Sequence, residues 1–210
     1  MALRLLPFRQ YDEQDVVNLF ALTNAEALES TTGDGVGSNG VFVKVADGNF
    51  DQELISYGSN SYLGKTDYPF VNSDMYPTVQ LEVTPADSGE APLGLTLNQT
   101  AKADENAEKL IYNTTKKEEL QAVLPGQTVP VATKGIFTLG KNALAGDSIT
   151  AAGITVGAGF EVADNGQISG IADATPSGTS LGMVIGTGSR TSSGGLTDQF
   201  AGDYVVIKLG

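Results

Sequence analysis

Apolar residues fall at every second position in three segments: Val41-Phe42-Val43-Lys44-Val45, Val79-Gln80-Leu81-Glu82-Val83 and Leu93-Gly94-Leu95-Thr96-Leu97. That period marks strands with one face buried. From Lys134 onward, short β-branched runs alternate with Gly, Asp and Asn. They are Gly135-Ile136-Phe137-Thr138-Leu139, the Ala145-Gly146-Asp147 turn, Gly159-Phe160-Glu161-Val162-Ala163, Leu181-Gly182-Met183-Val184-Ile185-Gly186 and Gly202-Asp203-Tyr204-Val205-Val206-Ile207-Lys208-Leu209. The pattern predicts a mainly β protein, with an N-terminal β region over 33–128 and a C-terminal β-barrel or sandwich domain over 129–210. Asn165-Gly166, between two apolar runs, predicts a tight hairpin turn. Thr187 to Gly195 reads as a polar loop before the last strand.

One short helix is expected, from Thr115 to Leu124. Thr115 and Glu118 have capping-box spacing, Leu120, Val123 and Leu124 share a face, and Pro125-Gly126 stops the run. Residues 1–32 read as an N-terminal arm, because the apolar pattern there is neither long nor cleanly periodic. Leu5, Leu6, Phe8, Tyr11 and Phe20 are poorly suited to water, so the segment must lie on its own domain as a tucked strand or reach a neighbouring subunit. Tyr57, Tyr62, Tyr68, Phe70 and Tyr76 crowd a loop-rich stretch, where aromatic side chains cover either an interface or the edge of their own core.

Composition narrows the chemistry. A chain of 210 residues buries roughly 70% of the surface its unfolded form exposes, enough for a core without covalent staples. It has no cysteine and no histidine, which removes disulfides, thiol nucleophiles, the usual general base near neutral pH and the commonest metal ligand. The net charge is −13, and the 12 basic residues are scattered apart from Lys116-Lys117, which argues against direct contact with nucleic acid. No stretch approaches the roughly 20 apolar residues of a membrane span. Met1 to Phe8 is too short an apolar run for a signal-peptide core, so synthesis in a cytoplasm is expected.

Motifs add no catalytic site. Gly35-Val36-Gly37-Ser38-Asn39-Gly40 has the letters of a dinucleotide fingerprint, yet a strand follows it where phosphate binding needs a helix N-terminus. Asp47-Gly48-Asn49-Phe50-Asp51 spaces oxygen ligands as a calcium loop does, but Gln52 and Gly58 stand where the loop needs Gly and Glu. A carboxylate pair for glycoside hydrolysis would meet only in the fold, and the absence of Trp removes the usual sugar platform. No cofactor, metal or enzymatic activity is expected.

The C-terminal runs quoted above resemble the small β-barrel decoration proteins of tailed bacteriophages. The opening Arg4-Leu5-Leu6-Pro7-Phe8-Arg9-Gln10-Tyr11-Asp12-Glu13-Gln14-Asp15-Val16-Val17-Asn18-Leu19-Phe20 and the later Lys117-Glu118-Glu119-Leu120-Gln121-Ala122-Val123-Leu124-Pro125-Gly126-Gln127 resemble virion structural proteins of phages infecting cyanobacteria. Together these segments cover roughly half the chain. The resemblance implies a β-tulip-like fold and a capsid decoration, or cement, protein. Such a subunit binds the outside of the head, often as a trimer, and holds the major capsid protein lattice. Leu5, Leu6, Phe8, Arg9, Tyr11 and Phe20 are then the candidate contacts with the capsid or another partner. A neck, baseplate or tail-fibre component, or a host-surface adhesin, is the alternative.

Overall fold

The computed structural model describes residues 4–22, 37–46, 81–101, 103–104, 108–124, 127–171, 180–191 and 201–210. In chain order these hold strands β1 (Leu5–Gln10), β2 (Val16–Val17), β3 (Ala21–Leu22), β4 (Phe42–Val45), β5 (Glu82–Pro85), β6 (Gly94–Thr96) and β7 (Gln99–Thr100). Helix α1 (Thr114–Glu119) follows, then β8 (Ala122–Val123), β9 (Val131–Ala132), β10 (Gly135–Gly140), β11 (Gly159–Ala163), β12 (Gln167–Gly170), β13 (Gly182–Arg190) and β14 (Gly202–Leu209). The tyrosine-rich stretch from Tyr57 to Tyr76, the Asp47–Asp51 turn, Val79-Gln80, Gly35-Val36 and the Pro125-Gly126 stop lie outside the described residues.

Two six-stranded sheets carry the fold. The first has the order β1-β10-β14-β13-β11-β12 and the second β2-β9-β6-β4-β5-β3, with β7 and β8 forming a separate parallel pair. Side chains alternate across a strand, and here both sides of the alternation find a core. Along β4, Phe42 points into the layer between the sheets, while Val43, with Val41 just before the strand, enters a second cluster with Leu22, Val83, Val129 and Val131. Phe42, Leu95 and Ala132 stand in register on neighbouring strands and face Phe137, Phe160, Val184, Val205 and Ile207 of the first sheet. The Phe42 and Phe160 rings meet at 6.1 Å. The architecture is a sandwich. Among the described residues β1 and β12 are unpaired with one another, so the barrel alternative is not closed.

Of the two placements open to the N-terminal segment, its described part takes the first. β1 pairs antiparallel with β10, β2 with β9, and β3 lies parallel to β5. Residues 4–22 are thus built into the sheets and do not form an extended arm. Leu5 and Leu6 are buried, and burying them in their own chain avoids the loss of translational and rotational freedom that a partner would exact. Sheet membership also crosses the division expected at 129. β9 belongs with the N-terminal strands and β1 with the C-terminal ones, and one core cluster holds residues of both sheets.

Two turns bolt the sheets together. The β11–β12 hairpin turns at Asn165 and Gly166, both at positive φ (59° and 65°), as the Asn-Gly pair predicts. Asn165 N–H donates to Asp87 Oδ1 at 3.1 Å, Ser88 N–H to Asp164 Oδ1 at 3.3 Å and Gly166 N–H to the Ala86 carbonyl at 2.8 Å. Arg4, itself buried, donates from Nη1 to the Asn165 carbonyl at 2.8 Å. Gly166 is required on two counts, since a Cβ there would also meet the Phe42 carbonyl oxygen at 2.6 Å.

Two local expectations are corrected. Helix α1 is capped by Asn113, whose side chain accepts from Lys116 N–H at 3.1 Å, and not by Thr115. It ends at Glu119 because Gln121 takes a positive φ of 49° and Ala122–Val123 turn into a strand beside β7. Thr187–Arg190, expected in a loop, extends β13, since Val205 to Gly202 of β14 supply its ladder partners.

Candidate interaction surface

The inward residues of the first sheet are Phe137 and Leu139 on β10 and Val205, Ile207 and Leu209 on β14. By alternation Ile136 and Thr138, and Tyr204, Val206 and Lys208, stand on the opposite face. Register places Met183 beside Lys208 and Gly188 beside Tyr204 on that face. A bulge between Val184 and Gly186 leaves Ile185 without a ladder partner, and both Met183 and Ile185 are exposed. The face away from the core is therefore largely apolar where a solvated sheet would be polar.

Edge strand β1 shapes this face into a groove. Its register against β10 shifts between Leu5 and Arg9, a bulge that accommodates Pro7, whose missing N–H suits an edge. Phe8 is thrown outward and is 69% exposed. Leu6, Pro7 and Phe8 form one wall, Thr138, Tyr204 and Val206 the floor, and Arg190 the far end of a groove of about 420 Å³. The Tyr204 ring lies over Gly188, where any Cβ would collide with it. Thr138 is buried, and its Oγ1 has no hydrogen-bond partner among the described residues.

The six candidate contacts separate into different roles. Leu5 is a core residue, and Leu6, though buried, still lines the groove. Phe8 is the exposed member. Arg9 is half-buried opposite Phe137 on β10. Tyr11 stacks on Phe137 with ring centroids 5.9 Å apart, which fixes it to its own domain. Phe20 packs against the second cluster. Thr138, Arg190, Tyr204 and Val206 were missed, although Val206 beside Val205 was a sign: consecutive apolar residues in a strand cannot share one face.

A smaller cavity of about 270 Å³ is lined by Gly89, Glu90, Ala91, Pro92, Glu161, Val162, Ser180 and Leu181. Glu90 forms an ion pair with Lys44 and accepts from Asp87 N–H at 2.8 Å. The Lys44 hydrogen bond first, then the Asp87 amide, hold its carboxyl below the ordinary value of 4.5. A general acid needs the opposite shift. Among the described residues no group of three or more Asp and Glu could hold a metal ion, and no helix is long and apolar enough to cross a membrane.

Compared with protein-family models, curated proteins and solved structures, the chain matches none of them.

Proposed function

We propose that this is a capsid decoration, or cement, protein of a tailed bacteriophage, binding the outer surface of the head and stabilising the major capsid protein lattice. The observation that supports this reading most directly is the apolar outer face of the first sheet, with Phe8 exposed at its rim. Exposed apolar surface of this kind marks a contact with another protein. The segments resembling phage decoration proteins favour the major capsid protein as that partner, and the chain's lack of His and Cys suits a subunit that works by contact area. On this reading the protein has no catalytic activity, and it sits on the virion with copies of itself, as a trimer, and with the major capsid protein. A ligand that binds only the intact lattice stabilises it by mass action.

The test is the thermal behaviour of heads with and without the protein. Shells should assemble normally in its absence and release DNA at a lower temperature, and adding the purified protein back should restore retention. Failure of assembly would make it a lattice component or scaffold. Equal DNA retention with lost adsorption to cells would make it a neck, baseplate or tail-fibre part or an adhesin.

A further inference from the structure

Among the described residues that line it, the groove carries a single charge. Leu6, Pro7, Phe8, Thr138, Tyr204 and Val206 are uncharged, and Arg190 closes the end. Arg190 is exposed, and among the described residues it has no ion-pair partner. A lone guanidinium beside an apolar floor runs against the balance of a chain with net charge −13. Its planar fork matches a carboxylate, with two parallel hydrogen bonds. The second observation is Phe8, 69% exposed on the wall of the groove, an apolar surface that a partner's side chain would remove from water.

We propose that this groove docks an acidic, apolar peptide segment of a partner protein. One large apolar side chain lies against Phe8 and Val206, and a neighbouring carboxylate pairs with Arg190. A volume of about 420 Å³ suits a side chain with a short length of backbone. A phosphate polymer is disfavoured, because one arginine on an acidic protein releases too few counterions to hold it. The inference rests on the reading of this face as a contact surface and specifies the chemistry of what contacts it.

The experiment is a heteronuclear NMR titration of the full chain with a capped dipeptide of aspartate and phenylalanine, against the same dipeptide carrying asparagine. The acidic dipeptide should give saturable shifts at the amides of Gly188, Arg190, Tyr204 and Val206 and bind about tenfold more tightly than the neutral one. Arg190→Gln should abolish that difference. Phe8→Ala should weaken both, and neither exposed position threatens the fold. Equal binding of the two dipeptides, shifts confined to other surfaces, or no saturation would overturn the proposal. So would a change of oligomeric state in Phe8→Ala or Arg190→Gln, which would assign the groove to a second copy of this chain. Dipeptide binding without capsid binding would remove only the cement reading. Capsid binding that is indifferent to Arg190→Gln, with no dipeptide shifts, would remove only this inference.

Discussion

Thr138 places an unpartnered hydroxyl in a buried position, a cost that the fold carries. An unpartnered buried hydroxyl costs about 1–3 kcal/mol, and Val has the same branched outline without it. Thr138→Val should raise the urea midpoint by the equivalent of about 1 kcal/mol with an unchanged slope; a lower midpoint would mean that the hydroxyl is satisfied in solution. Glu90 offers a separate residue-level check. Its folded value lies below its ordinary 4.5, because Lys44 and the Asp87 amide favour the carboxylate. The stabilisation it brings is therefore complete above the unfolded value and is lost as pH falls through the lower folded one. Lys44→Gln should move the Glu90 titration, followed by carbon NMR, back toward 4.5. Added salt should do so in part, since the pair stands at the surface.

At the scale of elements, β1 shows most clearly what pattern reading can reach. Leu5 lies opposite Leu139 and joins the central cluster, so Leu5→Ala should cost about 2–5 kcal/mol, read from denaturant unfolding. If stability is unchanged, the strand is detached in solution. The strand itself was hard to foresee, because Pro7 and the bulge break the alternation that revealed β4 and β6. β13 was legible as far as Gly186. Beyond it Thr187-Gly188-Ser189 has little intrinsic preference for a strand and extends only because β14 lies alongside. Asn113, two residues before the expected Thr115, is the better cap of the two residue types and accepts from Lys116 N–H. The groove was beyond the reach of local pattern. Its walls come from β1, β10, β13 and β14, and only the outward position of Val206 left a trace in the sequence.

For the whole molecule, the exchange of β1 and β9 between the two halves makes the central cluster common property. A chain divided at 129 would melt in two steps, whereas a shared core predicts one cooperative calorimetric transition whose calorimetric and van't Hoff enthalpies agree. Two separate transitions would mean that the sheets unfold independently. The position of β10 has another consequence. β1 and β14 flank it and both run antiparallel to it, with Leu5 opposite Leu139 and Leu209 opposite Gly135. Tension applied through the outer ends of β1 and β14 pulls them past β10 in opposite directions, along the strands and across hydrogen bonds that lie perpendicular to them. The bonds of each ladder then share the load and cannot open one after another, so the sheet behaves as a clamp under shear along the strands.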